Sequence, residues 1–583
     1  MLKTLNQSMR EYKKTSIITI FLSIIEVVFE IVLPLLMADL IDYGIEDGNM
    51  SMIAKYGIAL FIFALLQLLT GYYSAWFGAK ASVGFAANLR DDMYANVQTF
   101  AFSNIDKFST ASIVTRLTSD VTNIQNAYMM IIRLAMRGPV MILFSMIVSF
   151  GISRDISLVF LAMIPVLGIL LGLITYHVHP IFKRVFHTYD ELNGVVQENV
   201  RGVRVVKSFC TQDHEIDKFQ SVSTRIYQDF SRGEKLIALN SPLMQTCVYT
   251  CMIFVSYIGA RAIIASGNDA AIGLTTGNLT ALLSYAIQIL MSLMMLSMVF
   301  AMITIAHSSA ARVAELLDEK TDIVSPANGL TTVNSGEITF EDVDFVYASK
   351  ADKKVLGSIN LTIRSGETIG IIGSTGSSKS SLVQLIPRLY DVTSGRVTLG
   401  GRDVRDYDLD VLRDSVAMVL QKNELFKGTI KENLRWGSEN ASDEELVHAC
   451  QMACADEFIQ ALPDKYDTMI EQGGTNVSGG QKQRICIARA LLKHPKVLIL
   501  DDSTSAVDTK TDALIQRAFA SYIPEATKII IAQRISSVEH ADRIIVMDDG
   551  HISAIGSHSE LLETSDIYRE VYQSQQKGDE NIA

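Results

Sequence analysis

Four long stretches without one charged side chain constrain most strongly what this chain can fold into. They cover residues 56–79, 156–182, 236–260 and 270–311. A helix of about 20 apolar residues crosses roughly 30 Å of hydrocarbon, so each stretch is long enough to span a membrane. Two less clean stretches, 15–40 and 138–153, bring the expected spans to six, all before about residue 315. The first half is therefore predicted to be an all-α membrane domain in a lipid bilayer.

The expected domain covers residues 1–320, with transmembrane helices near 15–44, 52–100, 124–153, 156–205, 236–265 and 274–312. Residues 80–123 and 183–235 keep a helical pattern but turn polar, so we expect helices that continue into the cytoplasm. The alternative is a pair of soluble insertions. Four basic residues precede the first span, whereas residues 42–47 after it hold three acids and no base. This charge bias predicts a multi-pass protein of the plasma (inner) membrane with a cytoplasmic N-terminus.

Charge and cysteine content narrow the partners and the compartment. The net charge of −12 argues against nucleic acid as a partner. The six cysteines show no CxxC pattern, which favours packing thiols in a reducing compartment over disulfides. Both features suit a protein whose second half lies in the cytoplasm.

A glycine-rich turn between an apolar run and a helical pattern predicts a phosphate site. Residues 369–381 read IGIIGSTGSSKSS. In such a loop the backbone N–H groups cradle phosphates, Lys379 reaches the β and γ oxygens, and the Ser380 hydroxyl binds Mg²⁺. The expected ATP-binding residues of the loop are Gly373, Ser374, Thr375, Gly376, Ser377, Ser378, Lys379, Ser380 and Ser381. Ser378 stands where the general pattern has glycine. Serine fits there if the backbone is already helix-like, so we expect ATP binding to be kept.

A second stretch, residues 477–508, carries two further signals. It begins VSGGQ at the start of a predicted helix, where free N–H groups and the positive helix end favour a phosphate. It continues with the apolar run VLIL and two carboxylates, Asp501 and Asp502. This pattern is typical of a buried parallel strand that delivers acids to a site at its carboxyl end.

At these residues the chain resembles ATP-binding cassette (ABC) transporters. The resemblance implies a six-helix transmembrane domain of the type I/IV exporter fold, a linker at 321–335, an α/β P-loop ATP-binding domain at 336–575 and a tail at 576–583. It implies that Tyr347 stacks on adenine, that Gln421 is the Q-loop glutamine, and that Ser380, Gln421 and Asp501 hold Mg²⁺. The implied signature loop is Val477, Ser478, Gly479, Gly480 and Gln481, and the implied D-loop residues are Ser505 and Asp508. Coupling helices are expected near 115–125 and 208–218.

The chain departs from the family pattern at positions that matter for hydrolysis. The family's catalytic glutamate is replaced by Asp502, which is one methylene shorter, and its H-loop histidine by Gln533. General-base catalysis needs heavy atoms within about 2.6–3.2 Å of the proton, and glutamine cannot carry a positive charge near pH 7. Gln472 also stands where a second glutamate is common. We therefore expect a site that binds ATP and hydrolyses it slowly.

The nearly intact signature implies a different partner. In this family one domain's phosphate loop faces the other's signature, so Ser478 would act on the partner's ATP. The expected partner is a homologous half-transporter that supplies the glutamate and the histidine, which makes the assembly a heterodimer. A homodimer is the alternative, and it should have only feeble ATPase activity.

The transported substrate is the property that the sequence constrains least. Glu26 and Glu30 share one face of the first helix, either as a cation-attracting cavity wall or as a hydrogen-bonded pair near the interface. The expected cavity residues also include Met291, Met295 and Met298, from a methionine stripe that could equally be ordinary packing. We expect export of amphipathic small molecules of multidrug type. The alternatives are a lipid or peptide exporter and an ATP-gated regulator that does not pump.

Overall fold

The computed structural model describes residues 1–268, 273–347, 354–502 and 509–580. They fall into two compact units. The helical unit comprises Met1–Gln98 and Ser109–Glu319, and the α/β unit comprises Thr99–Phe108 and Lys320–Ala583. An all-α half followed by an α/β half is the order that the sequence predicts.

The helical unit consists of long helices joined by short turns. Its α-helices are α1 (Leu2–Gln7), α2 (Tyr12–Leu40), α3 (Met50–Gln98), α5 (Thr110–Thr115), α6 (Val121–Met130), α7 (Met136–Ile152), α8 (Arg154–Ser208), α9 (Gln212–Ile237), α10 (Asn240–Ser266) and α11 (Thr276–Asp318). Wider π-helical turns occupy Ile41–Glu46, Arg116–Asp120 and Ile131–Ala135. Within the described residues, six helical segments are long and apolar enough to cross a membrane.

Two of these six segments begin well before the expected spans. The third runs over Thr110–Ile152 and the fifth over Gln212–Ser266, whereas the apolar patterns begin near residues 124 and 236. The added helical turns are polar, so the helix begins before the apolar pattern does. Residues 80–98 and 183–208 are likewise helical in α3 and α8, as their polar helical pattern predicts.

Two hydrogen bonds made by buried polar side chains join helices of the helical unit. The hydroxyl of the fully buried Tyr285 in α11 donates to the Ile31 carbonyl of α2 over 2.7 Å. The hydroxyls of Ser23 and Ser74 are 2.7 Å apart between α2 and α3. Polar groups without water are costly unless they are hydrogen-bonded, and these pairs meet that requirement.

The α/β unit is built on three sheets. Its strands are β1 (Ile338–Phe345), β2 (Leu356–Ile363), β3 (Thr368–Gly373), β4 (Ser394–Leu399), β5 (Arg402–Asp403), β6 (Val416–Val419), β7 (Gly428–Thr429), β8 (Met469–Ile470), β9 (Val497–Asp501), β10 (Thr527–Ile531), β11 (Arg543–Asp548) and β12 (His551–Gly556). The orders are β2-β1-β4-β5, β12-β11-β3-β10-β9-β6 and β7-β8. β1 is antiparallel to both of its neighbours, as its alternating pattern predicts.

Ten helices in the described part of the α/β unit cover and connect these sheets. They are α4 (Phe102–Phe108), α12 (Lys379–Gln384), α13 (Leu409–Ser415), α14 (Ile430–Arg435), α15 (Asp443–Met452), α16 (Asp456–Gln460), α17 (Gly479–Leu491), α18 (Thr509–Tyr522), α19 (His558–Thr564) and α20 (Asp566–Glu580). All five residues of β9 are buried between layers, as a strand of the central parallel sheet requires. The last helix, α20, continues past residue 575, into the expected tail.

One short segment from the first half of the chain belongs to the α/β unit. It is Thr99–Phe108, which contains α4, and not residues 115–125, which lie in the helical unit. The expected position of the first coupling helix was therefore wrong. The Phe102 ring packs edge-on against Tyr390, with centroids 5.9 Å apart, and the Tyr390 hydroxyl donates to Asp106 over 2.8 Å. The second expected segment, 208–218, contains the turn between α8 and α9.

Ser378 adopts a backbone conformation that the sequence analysis did not expect. Its φ is 70° and its ψ is 23°, in the left-handed region rather than a right-handed helical turn. The chain needs this conformation to turn from the loop after β3 into α12. A residue with a Cβ pays about 1–2 kcal/mol there, a cost that glycine avoids.

We predict that Ser378→Gly stabilises the chain by about 0.5–1 kcal/mol, since relief of the left-handed strain exceeds the greater entropy of unfolded glycine. Thermal unfolding of the purified chain should show a rise in Tm of about 1–4 °C.

The matched control is Ser557→Gly. Ser557 caps α19 at φ −69° and forms a capping box with Glu560, so the same substitution should lower stability by a few tenths of a kcal/mol. Equal effects at the two serines would contradict the strain at Ser378.

Candidate nucleotide site

The site lies where three parallel strands end. β10 pairs with β3 on one side and β9 on the other, with Ile531 opposite Ile371 and Asp501. The carboxyl ends of adjacent parallel strands meet at one edge of a sheet, where α/β proteins bind ligands. This register brings the loop after Gly373, the two aspartates at the end of β9 and Gln533 to the same edge.

The lysine of the phosphate loop is hydrogen-bonded to other residues of the loop. Lys379 Nζ donates to the carbonyls of Gly373 and Ser374 over 2.8 Å each and to Ser377 Oγ over 3.2 Å. Burial lowers the pKa of Lys379, while the charges of Asp502 and Asp501 oppose that shift. A Cβ on Gly373 would lie 2.3 Å from the Met547 carbonyl, so only glycine fits there. The loop therefore holds a cation in place for a phosphate.

Ser380 and Asp501 meet in a position suited to a hard cation. Ser380 Oγ donates to Asp501 Oδ1 over 2.8 Å. Burial raises the pKa of Asp501, the hydrogen bond from Ser380 opposes this, and the charge of Asp502 adds to it. Mg²⁺ prefers one or two carboxylates with hydroxyl, water and phosphate oxygens, so this oxygen pair fits it. No cluster of three or more His, Cys, Asp or Glu residues occurs among the described residues.

The two substituted positions contact each other. Gln533 Nε2 donates to Asp502 Oδ2 over 2.6 Å, and Gln421 Nε2 approaches the same oxygen at 3.3 Å. Asp502 itself has a positive φ of 48°. The carboxylate oxygen thus holds two amide donors where a general base would hold water. The expected base, H-loop and Q-loop positions are brought together as one cluster.

The signature residues begin a well-capped helix. Ser478 Oγ accepts the Gln481 N–H over 3.3 Å, and Gln481 Oε1 accepts the Ser478 N–H over 2.9 Å, which is a capping box. Ser478 and Gly479 are exposed and Gly480 is half-buried, while Val477 packs against the core. The first turn of α17 is therefore rigid and open to a ligand.

The segment before the signature, which contains Gln472, is hydrogen-bonded to α17. Residues Gln472–Gly474 form a 3₁₀ turn, and Lys482 Nζ donates to the Gly473 carbonyl over 2.7 Å. The expected D-loop residues, Ser505 and Asp508, lie outside the described residues.

Tyr347 stands beside the phosphate-loop helix. Its hydroxyl is 2.7 Å from Ser381 Oγ, and its ring is half exposed. The ring packs edge-on against Tyr390 at 5.1 Å, and burial raises the pKa of Tyr390. Sequence reasoning missed Tyr390 and α4. Three phenylalanines within residues 100–108, at the polar end of a long helix, were the available signal.

In the helical unit, the two acids of α2 share one arginine. Arg137 of α7 donates to Glu26 Oε1 over 3.0 Å and to Glu30 Oε2 over 2.6 Å. Glu26 is buried, and a Cβ on Gly71 of α3 would lie 3.2 Å from Glu26 Oε1. The triad thus contains two acids and one base. Met291 and Met298 of α11 are exposed, and Met295 is half-buried.

Comparison with known families matches both halves of the chain. Residues 16–309 match the ABC transporter transmembrane region, and residues 356–505 match the ABC transporter family. The chain also has the fold of a solved bacterial Atm1-family ABC exporter with ATP bound. That likeness has a TM-score of 0.82 at 22% identity and covers 97% of this chain and 98% of that one.

Named relatives match over nearly the whole length. An uncharacterized ABC transporter ATP-binding protein of Bacillus subtilis, YfiB, is 34% identical over 97% of both chains. The ATP-dependent lipid A-core flippase of Syntrophus aciditrophicus is 32% identical over 91% of this chain and 87% of its own. A putative multidrug export ATP-binding/permease protein of Bacillus subtilis, YgaD, is 29% identical over 98% of both chains. The chain thus belongs to the ABC transporter family, as a multi-pass membrane exporter with its transmembrane and ATP-binding domains in one polypeptide.

Proposed function

We propose that this chain is the degenerate-site subunit of a heterodimeric ABC exporter, which binds ATP at its own phosphate loop and completes the competent site of its partner. The contact of Gln533 with Asp502 carries the proposal. A carboxylate that is one methylene short and already holds an amide at 2.6 Å is poorly placed to activate water. Both family residues that promote hydrolysis are absent from this position.

The chain's own residues can nevertheless bind ATP. Tyr347 offers a half-exposed ring for the base, and the loop from Gly373 to Lys379 offers N–H groups and a cation for the phosphates. Bound Mg²⁺ would neutralise phosphate charge, with Ser380 and Asp501 as its protein ligands and Gln421 beside them. We propose that ATP stays bound here longer than at the partner's site.

The signature loop supplies the complementary function. The open first turn of α17 presents its N–H groups and the Ser478 hydroxyl, held in place by the capping box with Gln481. In the assembled exporter this turn would cap the partner's ATP, and the partner's glutamate would activate water there. Closure of the two ATP-binding domains would then turn the cavity outward, and hydrolysis would reset it.

For the cargo we propose amphipathic small molecules, with a preference for cations. The name of YgaD, a putative multidrug exporter, supports the class. The excess negative charge on Glu26, Glu30 and Arg137 supports the preference, because an uncompensated charge at membrane depth attracts the opposite sign. The relation to a lipid A-core flippase makes a lipid the second candidate.

We predict that Asp502→Glu together with Gln533→His raises ATP hydrolysis at this chain's own phosphate loop by about tenfold or more, because a general base contributes at least that factor. Steady-state phosphate release measures it in a complex whose partner subunit has lost its own catalytic glutamate. Each single variant should raise ATP hydrolysis less than the double variant. In Asp502→Glu the new glutamate still has the Gln533 amide as a partner, and in Gln533→His the base is still the shorter aspartate. Unchanged turnover in the double variant would show that another residue limits the site.

The trans role of the signature is tested in the native complex. A tagged chain purified from its own membrane should copurify with a second ABC subunit that has the family's catalytic glutamate and H-loop histidine. In that complex, Ser478→Arg should lower ATP turnover by about two orders of magnitude, since it removes phosphate-stabilising donors.

The matched control is Ser557→Arg, at a serine that caps α19 with the same hydrogen-bond pattern. It should leave turnover within about twofold, since a lost cap alone affects stability and not the site. Brisk hydrolysis and transport by this chain paired only with itself would refute the heterodimer.

The cargo preference is tested by Glu30→Gln, which keeps an oxygen for Arg137 and removes the excess charge. ATP-dependent accumulation of a cationic dye in inverted vesicles should fall about two- to fivefold. A neutral amphipathic dye in the same vesicles is the control and should be unaffected. An equal fall for both dyes would exclude charge selection, and no ATP-dependent uptake of any dye or lipid would favour a regulator that does not pump.

A further inference from the structure

The C-terminal helix reaches the site through one glutamine. Gln575 of α20 brackets the turn that follows β10. Its Nε2 donates to the Gln533 carbonyl over 2.8 Å, and its Oε1 accepts the Ile535 N–H over 2.9 Å. One side chain thus satisfies a backbone acceptor and a backbone donor on either side of Arg534.

The packing of α20 fixes where this amide lies. Tyr568 is fully buried, and Val571 and Tyr572 pack against the same core as Ile535. Residues 568, 571, 572 and 575 share one face of a helix. Gln575 therefore lies on the same face of α20 as the three packed side chains. Their packing fixes the helix, and so helps to place the Gln575 amide beside the turn.

The turn is also held from α18, but at its far end. Ser537 Oγ donates to Asp512 Oδ2 over 2.7 Å, and Gln516 Nε2 donates to the Ser537 carbonyl over 2.6 Å. These bonds hold the residue where the turn ends. The bonds from Gln575 hold the beginning of the turn, at Gln533 and Ile535. The side chain of Gln533 points to Asp502.

We infer that Gln575 is a positioning residue, which orients Gln533 toward the terminal phosphate of ATP. The inference rests on the proposed function, in which ATP binds at this chain's phosphate loop, so that Gln533 at the same edge of the sheet lies beside the terminal phosphate. An amide that is displaced when the turn that carries it loses two hydrogen bonds cannot keep a contact that needs about 3 Å. The C-terminal helix thereby becomes part of the machinery that distinguishes ATP from ADP.

A purely structural role for Gln575 makes a different prediction. If the bonds merely fasten α20 to the domain, their loss should weaken ATP and ADP alike or change only the melting temperature. If they position Gln533, their loss should weaken only the nucleotide that has a γ-phosphate. The ratio of the two affinities is therefore the decisive measurement.

The experiment measures equilibrium binding to the full-length chain, purified in detergent, by competition with a fluorescent nucleotide in the presence of Mg²⁺. The competitors are ADP and AMP-PNP, a non-hydrolysable ATP analogue. Gln575→Ala should weaken AMP-PNP about three- to tenfold, as expected for a lost hydrogen bond, and leave ADP within about twofold.

The matched control is Gln576→Ala. The neighbouring Gln576 Nε2 donates to the Tyr572 hydroxyl within α20, over 2.7 Å, so its loss should change neither affinity. Gln575→Glu keeps the acceptor for Ile535 but loses the donor to Gln533, and it should weaken AMP-PNP selectively as well. This second variant carries the test if Gln575→Ala fails to fold.

A double-mutant cycle locates the effect. Gln533→Ala should reproduce the selective loss, and adding Gln575→Ala to it should cause no further loss, because the second residue acts through the first. Additive losses, or equal weakening of ADP, would overturn the inference. Absence of any loss in AMP-PNP affinity would overturn it as well.

Failure of the proposed function is distinguishable from failure of this inference. Nucleotide selectivity that depends on Gln575, in a chain that proves to hydrolyse ATP briskly on its own, would leave the positioning role intact and remove the degenerate site. The reverse result, a heterodimer with a slow site and a silent Gln575, would remove only the positioning role.

Discussion

The pairing of β10 between β3 and β9 is the constraint on which the nucleotide site depends. β3 lies more than a hundred residues before β9 and β10 in the chain, and only the parallel register sets Gly373, Asp501 and Gln533 at one edge. Every later feature of the site refers to that edge. The lysine is held by the loop after β3, the carboxylates lie at the end of β9, and the amide that contacts Asp502 follows β10.

Local patterns in the sequence predicted the parts of this arrangement that local physics determines. The apolar run before Asp501, the glycine-rich turn and the capping serine of α17 each specify their own conformation, and the structure contains all three. The left-handed backbone at Ser378 was not predictable, since the direction in which α12 leaves the loop is imposed by the sheet. The roles of Tyr390 and Gln575 depend on contacts between distant segments, which no local pattern encodes.

The helical unit illustrates the same limit with charges. The spacing of Glu26 and Glu30 predicts that they share a face of α2, but their partner lies more than a hundred residues later. Sequence alone left a cavity wall and a hydrogen-bonded pair as equal alternatives. Arg137 pairs with both carboxylates, and this contact between distant helices is what the spacing of the two acids could not predict.

The α/β unit is discontinuous in the chain, and this has a practical consequence for building hybrid transporters. Residues Thr99–Phe108 fold with it although they are encoded more than two hundred residues upstream. A chimaera cut at a single junction near Lys320 would separate Asp106 and Phe102 from the tyrosine that they contact. An exchange of ATPase modules between relatives must therefore graft two segments, because the short segment carries the residues that contact Tyr390.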